Sequence, residues 1–521
     1  MYRQHQQQLV EILSGDIPRR IIAAVTPGGG KSQLPVLCVQ HLIPRFASRI
    51  CWVVPRRSLQ HQAEEAFYNP LNIHLLSRIR TSTNDSDPCR GLAGFVTTYN
   101  ALAMSNSVVV DEFRKHRYIL VLDESQHIAD STSFFNGVAP LVDMAELTLF
   151  MSGTLERNKG RKIAFMMYTP SLISKDDSLH LEDTALTRVI SYTRTDALRE
   201  KAIIPIRFTY LDAKAEFKIE AKTVKLETLK SGTKRMRKAA LFTALSTDYA
   251  LHLLDECVSD WRAWKHEHPR SKLLVIAPGQ RHARKFVAHL SKIGLCANLA
   301  ITDEGPRCDR AIRNFKRITG STENDILVTV GVGYEGLDVR SITHIACLTR
   351  IRSKPWIEQM LARATRYDPD AGAWESQEAR CFVPDDLEMA DILDVIKKEQ
   401  APFVSSRKNA SRSIDTCVPL EQGTLFPGLE CVGSAAAGRR AEPSRAIKSA
   451  PVASAPAILT PSDLEDAARA GIENHVRHYA SRKRIQIRDV NRILFQRFGK
   501  RANMRLTELQ AAMKWVQGNL K

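Results

Sequence analysis

The residues best suited to chemistry begin at Thr26-Pro27-Gly28-Gly29-Gly30-Lys31-Ser32. Three successive glycines carry no Cβ, so the chain can wrap closely around an anion with its N–H groups turned inward. Pro27 and Gly28, Gly29 and Gly30 form the cradle, Lys31 reaches terminal phosphates, and the Ser32 hydroxyl ligates Mg2+. The usual first glycine of such a loop falls at Val25, so the pattern is incomplete there. A plain Gly-rich turn is the bland alternative; the apolar run before the loop and the helical pattern after it weigh against that.

A second group closes the apolar run Leu120-Val121-Leu122, which ends in Asp123-Glu124-Ser125-Gln126-His127. Two adjacent carboxylates can divide the labour of phosphoryl transfer to water. Asp123 holds Mg2+, and Glu124 orients and deprotonates the attacking water. A third group is Gln359-Met360-Leu361-Ala362-Arg363-Ala364-Thr365-Arg366. On a helix, Gln359, Arg363 and Arg366 share one face, where two arginines can meet transition-state charge. A solvated basic face is the alternative.

These groups need strands to hold them. Seven short runs rich in β-branched residues supply candidates: Ile21–Val25, Ile50–Val54, Tyr118–Leu122, Leu147–Met151, Lys272–Ala277, Ile326–Val330 and His344–Leu348. Continuous apolar runs between helical patterns read as buried strands of parallel sheets. Four lie before residue 160 and three after 270, which predicts two α/β domains in series. The expected fold class is α/β: two tandem domains, parallel sheets flanked by helices, with a small basic helical module after them.

With the order of these motifs in view, the chain resembles a superfamily-two helicase of the DEAD/DEAH type, close to type III restriction Res subunits, over roughly residues 1–400. The resemblance implies two RecA-like domains with ATP and Mg2+ between them. It implies an adenine-reading role for Gln6 in Arg3-Gln4-His5-Gln6. Val53–Leu59, with Arg56 and Arg57, and Val96–Asn100, with Thr97 and Thr98, resemble the segments that contact the nucleic-acid backbone. Ser152-Gly153-Thr154 resembles the motif that links hydrolysis to strand movement, through Ser152 and Thr154. Leu274–Pro278 resembles a further motif. Glu335-Gly336-Leu337-Asp338 resembles the motif that adds Gly336 and Asp338 to the nucleotide site. Two departures stand out: Gln126 precedes His127 where the family carries Asp-Glu-x-His, and Ala362 replaces a glycine. Gln126 is expected to hydrogen-bond across the cleft.

Composition frames these motifs. The chain has 521 residues, 44% of them hydrophobic and 25% charged, which excludes wholesale disorder. Its net charge is +18, as suits a polyanionic partner. Ten cysteines without CxxC spacing read as reduced thiols, and no apolar run is long enough for a membrane span. A cytoplasmic protein of a bacterial or phage-infected cell is expected, with nucleic acid as its partner, DNA favoured, and no membrane.

The expected division is 1–203 and 204–404 for the two domains, with a helical insertion at about 212–270. A linker at 405–460 and a basic helical module at 461–521 follow. From His475 to Lys521 twelve Lys and Arg face only Asp489 and Glu508, a net +10. That module is read as a nucleic-acid binder; packing on the motor, or a protein partner, is its alternative. An ATP-dependent DNA helicase or translocase is the first functional reading. An RNA helicase and a nucleotide-switched clamp stay open.

Overall fold

The computed structural model describes residues 2–69, 72, 77–82, 86–130, 132–153, 163–169, 178–180, 183–219, 222–317, 324–331, 337–403, 429–442, 460–483 and 485–520. All seven predicted runs are strands. The first sheet holds β1 (Arg20–Val25), β2 (Arg49–Val54), β3 (Ile79–Thr81), β4 (Gly94–Thr98), β5 (Tyr118–Asp123) and β6 (Leu147–Ser152). A small antiparallel pair, β7 (Met167–Thr169) and β8 (Ser178–His180), precedes its last strand, β9 (Thr187–Tyr192). The order is β3-β4-β2-β5-β6-β1-β9, and every pairing is parallel.

Every residue of β5 and β6 is buried. Helices cover both faces of such a sheet, so an uninterrupted apolar run is what the strand needs. The covering helices are α1 (Gln4–Ser14), α2 (Leu34–Leu42), α3 (Arg57–Tyr68), α4 (Tyr99–Met104), α5 (Ser107–Lys115), α6 (Ser133–Met144) and α7 (Arg194–Arg199). From β1 the chain passes over β6 and β5 to reach β2. That makes the carboxyl ends of β1, β6 and β5 a topological switch point, where open α/β sheets bind ligands.

The second unit begins with β10 (Ile206–Ile219) and β11 (Lys222–Leu226), then α8 (Lys234–Ser246) and α9 (Asp248–Glu267). It continues through β12 (Lys272–Ile276), α10 (Gln280–Lys292), β13 (Asn298–Ala300), α11 (Pro306–Lys316), β14 (Ile326–Thr329) and β15 (Ile342–Cys347). It closes with α12 (Lys354–Leu361), β16 (Ala379–Pro384), α13 (Leu387–Gln400) and β17 (Leu429–Ala441). Its sheet runs β11-β10-β16-β15-β12-β14-β13, parallel from β10 to β13. Both β11 and β17 run antiparallel to β10. The two units are thus tandem parallel α/β domains of the RecA-like kind.

Two expectations are corrected. The helical insertion at 212–270 is helical only from Lys234; its first part is strand, with Leu211, Ala213, Ala215 and Phe217 buried along one face of β10. The linker at 405–460 contains β17, which pairs with β10 from Leu429 to Ala441. Small residues, Gly433-Ser434-Ala435-Ala436-Ala437-Gly438, read as flexible in sequence, but backbone hydrogen bonding to a neighbouring strand does not depend on side-chain size. The rest of that segment, 404–428 and 443–459, lies outside the described residues.

The tail is helical, as expected: α14 (Pro461–Lys483), α15 (Ile487–Phe498) and α16 (Leu506–Asn519). They share a small core of Ile472, Val476, Val490, Leu494, Leu509 and Val516. Among the described residues no helix is long and apolar enough to cross a membrane. Every described cysteine is a free thiol.

The core of the second unit buries a histidine. His344 is fully buried, with Nε2 3.1 Å from an Asp260 carboxylate oxygen. Burial holds its pKa down to about 4, against the pull of Asp260. A histidine depressed in the folded state contributes stability above its unfolded pKa near 6.5, lost as pH falls through the folded value. Denaturant midpoints should therefore drop between pH 6.5 and about 4, and His344→Gln should flatten that slope; an unchanged slope would remove His344 as its source.

Candidate nucleotide site

The carboxyl ends of β1, β5 and β6 bring together residues far apart in sequence. After β1, Gly28 and Gly30 have φ of 83° and 92°, a region open mainly to glycine. One turn of 3-10 helix, Lys31–Gln33, then leads into α2. The chain around the loop is close-packed. A Cβ on Gly28 would meet Ile203 Cγ2 at 3.2 Å, and one on Gly153 would meet Pro27 Cγ at 2.8 Å. Gly153 therefore lets the end of β6 lie against the loop.

The N-terminal helix frames the loop from the other side. The Arg3 guanidinium donates to the Gly29 carbonyl, and Gln6 Nε2 donates to the Gly30 carbonyl at 3.5 Å. Gln6 is buried, and its Oε1 accepts the Arg3 N–H. Buried His5 packs against Tyr192, with ring centres 4.3 Å apart and planes tilted by 42°. Sequence reading singled out Gln6 alone; Arg3 and His5, two of its neighbours in Arg3–Gln6, were missed as contacts of the loop.

Lys31 meets both carboxylates, Glu124 in a hydrogen-bonded pair and Asp123 at 3.2 Å. Burial disfavours the lysine charge, but the two carboxylates outweigh it and raise its pKa. The carboxyls themselves are driven apart. Burial, opposed by Lys31 and reinforced by Glu124, raises Asp123. Burial would raise Glu124 as well, but Lys31 and hydrogen bonds from Lys31 and Gln126 hold it below the carboxylate range. Glu124 is thus the carboxylate kept ionised.

Backbone geometry sets this apart from an ordinary strand end. Glu124 has φ 50° and ψ 51°, a left-handed conformation uncommon for a residue with a Cβ. Its N–H donates to Asp123 Oδ1 at 3.0 Å, and the Tyr99 hydroxyl donates to the Asp123 carbonyl at 2.8 Å. These bonds fix the turn that presents both carboxylates to the loop.

From Glu124 a chain of side-chain bonds runs outward. Gln126 Nε2 donates to Glu124 Oε2 at 2.7 Å, and the Ser152 hydroxyl donates to Gln126 Oε1 at 2.7 Å. Gln126 therefore bonds within the first unit, not across the cleft as expected. The cross-unit contact comes from Gln359, whose Nε2 lies 3.4 Å from Glu124 Oε2.

The shared helix face expected for Gln359, Arg363 and Arg366 is also corrected. Helix α12 ends at Leu361, and Ala362 is its C-cap. The two arginines lie in the segment beyond. Arg363 Nη1 donates to the Leu337 carbonyl at 3.1 Å, and Arg366 pairs with Asp338. Burial lowers the Arg366 pKa to about 10, which leaves it charged at neutral pH. Ile203, where the chain crosses between units, forms a bridge with Arg366, and Ile204 N–H donates to the Thr365 carbonyl at 2.8 Å. The loop, the crossing and the arginine segment are thus contiguous.

Other candidate residues fare differently. Thr97 and Thr98 are only 3% and 4% exposed, and the Thr98 hydroxyl caps α4 by accepting from Ala101 N. Their side chains are not presented for phosphate contact. Arg56 is the N-cap of α3 and half-buried; Arg57 is exposed. Thr154 and Gly336 lie outside the described residues.

Oxygen donors from a carboxylate and a hydroxyl suit Mg2+, which takes one or two protein ligands alongside phosphate oxygens. Asp123 and Ser32 offer that set. Among the described residues no group of three or more His, Cys, Asp or Glu is placed to hold a metal ion.

Comparison with known proteins gives one family. Residues 1–157 match Type III restriction enzyme, res subunit. Among curated proteins none matches the chain. Solved structures similar to it include S. cerevisiae Dbp5 bound to RNA and ADP BeF3, at 15% identity, 76% of this chain, 87% of that chain and TM-score 0.45. The Pyrococcus furiosus Hef helicase domain is 13% identical, over 77% of this chain and 98% of that one, with TM-score 0.42. Mss116p bound to ssRNA and AMP-PNP is 14% identical, over 99% and 86%, with TM-score 0.47. Over residues 1–157 the chain is similar to the type III restriction enzyme res subunit.

Proposed function

We propose that the chain is an ATP-dependent helicase or translocase of nucleic acid, acting on DNA. The observation that carries this reading is the convergence of Lys31, Asp123 and Glu124 at the switch point of one sheet, with Gln359 reaching Glu124 from the other unit. DNA is favoured by the restriction-enzyme description of the family matched over residues 1–157.

In this reading Pro27–Gly30 wraps the phosphates and Lys31 shares its charge with them. A phosphate entering the loop competes with two carboxylates for the ammonium. Ser32 and Asp123 hold Mg2+, which supplies positive charge against the phosphate oxygens. Glu124 takes the proton of the attacking water. Gln6 contacts adenine, and Arg363 and Arg366 meet transition-state charge. Gly336 and Asp338 belong to the same nucleotide site. Ser152 and Thr154 relay the state of the site to strand movement, Ser152 through Gln126. Arg56 and Arg57 contact the nucleic-acid backbone. The boundary between the units is set at 203/204, the second unit includes β17 beyond residue 404, and the module starts at 461.

The test is ATP turnover measured side by side with single-stranded DNA, duplex DNA and RNA, with Mg2+ and after chelation. Turnover should need Mg2+ and rise most with DNA. Equal or greater stimulation by RNA would replace DNA with RNA as substrate. Stimulation without movement in a tracking assay would replace the motor with a nucleotide-switched clamp.

A further inference from the structure

The tail is docked on the first unit through buried charge. Glu64 on α3 is fully buried; one of its oxygens accepts the Thr81 hydroxyl of β3, and the other accepts the Ser462 N–H at 3.0 Å. Ser462 lies in the first turn of α14, so a carboxylate of the motor meets the positive end of the module's first helix. One turn on, Glu465 is 6% exposed and sits between Arg80 at 3.3 Å, Arg90 at 3.8 Å and its own helix's Arg469 at 2.9 Å. Arg90 Nη1 also donates to the Met504 carbonyl at 2.9 Å, tying the segment between α15 and α16 to the same place. A buried charge deprived of its partners is strongly destabilising, so the arrangement favours one seated orientation.

The seat has a defined address. Thr81 and Arg80 belong to edge strand β3, whose parallel register puts Thr81 beside Val96 of β4. The module therefore attaches near the carboxyl edge of the sheet, the edge that carries Arg56 after β2.

Against that seat, α15 keeps a face of its own. Val490 and Leu494 are buried in the module. Arg488, Arg492 and Phe495, at i, i+4 and i+7, share another face and are all exposed, Phe495 by 60%. Exposed Ile493 lies on the far flank, on the side of Asp489. A protein-docking surface gathers apolar anchors. This face instead sets one aromatic ring among arginines, in a segment with twelve basic residues against two acidic ones. That is the chemistry of phosphate contact with a stacked base.

We propose that the docked module binds single-stranded nucleic acid along the Arg488–Arg492–Phe495 face of α15, with a base stacked on Phe495, and so extends the nucleic-acid track of the first unit. The inference rests on the reading of the chain as a nucleic-acid motor.

The experiment titrates full-length protein against fluorescein-labelled oligo-dT, oligo-U and a duplex of equal length, at two salt concentrations, by anisotropy. Phe495→Ala should weaken oligo-dT binding about tenfold, as loss of one stacked base does, and Phe495→Tyr should retain it. Arg488→Ala with Arg492→Ala should lower the oligo-dT salt slope by about 1.4, roughly 0.7 for each single-strand phosphate no longer neutralised. Ile493→Ala should match the wild type. Affinities within about twofold of wild type for both the Phe495→Ala and the double-arginine protein would overturn the proposal. So would an equal loss in Ile493→Ala, or a Phe495→Ala loss confined to the duplex. ATP turnover of the wild-type chain is read in the same series. Its absence would overturn the motor reading and leave the binding result on α15 standing.

Discussion

Glu124→Gln protein should bind ATP with near-wild-type affinity and hydrolyse it on the order of 10²–10⁴ times more slowly, the span expected for loss of a general base. The amide keeps the shape of the side chain and can still accept from Gln126, but it cannot take a proton from water. The physical ground is the splitting of the two carboxyls: Asp123 is raised by burial, and Glu124 is held ionised by Lys31 and Gln126. Lys31→Ala behaves differently. It removes the cation from between buried Asp123 and half-buried Glu124, so both ATP binding and turnover should fall. Equilibrium binding and single-turnover hydrolysis, measured for both proteins, separate the two cases. Turnover near wild type in Glu124→Gln removes that residue from the role of base.

The glycine loop, the carboxylate pair and the seven strands that hold them are visible in the sequence for one reason. A strand buried on both faces must be an unbroken apolar run, and Tyr118–Asp123 or Leu147–Ser152 is such a run. Where burial is one-sided the signal changes. Strand β10 alternates, with Leu211, Ala213, Ala215 and Phe217 inward and Asp212, Lys214, Glu216 and Lys218 between them. That is a period of two, but the density of lysine across 214–238 reads as a basic helix if charge is weighed before period. Strand β16 hides for another reason. It carries Arg380 inside, made tolerable by Asp260 and Glu378 at 2.9 and 3.3 Å, and no local pattern announces a partner 120 residues away.

The site shows the same division. Residue types that do chemistry are legible, but their partners are not. Gln126 can be picked out as a departure from the family pattern; that it bonds Ser152 and Glu124 within one unit follows only from the adjacency of β5 and β6. Thr97 and Thr98 look available in sequence and are buried because they close a central strand and cap the next helix. The docking of the tail is also beyond the sequence, since Glu64 and Ser462 lie 398 residues apart.

Alanine at both Arg363 and Arg366 should lower the hydrolytic rate by about 10³–10⁵ while ATP affinity changes little, as for arginines that act on transition-state charge. Their placement supports this over a solvated basic face. Both lie beyond the end of α12, and Arg366 is half-buried, paired with Asp338 and bridged to Ile203, beside Gly28 of the loop. Burial lowers the Arg366 pKa only to about 10, so the charge persists at neutral pH. The Asp338 pair raises a competing account, in which Arg366 serves only to hold Asp338. Asp338→Asn separates the two: a structural pair makes this variant as slow as Arg366→Ala, whereas a transition-state arginine leaves it much faster. Arg366→Lys adds a second discriminant, since it keeps the charge but loses the planar fork. The measurements are single-turnover rates at saturating ATP, nucleotide affinity, and a thermal midpoint to establish folding. A loss carried wholly by affinity, or a double variant within a few-fold of wild type, would remove both arginines from the hydrolytic step.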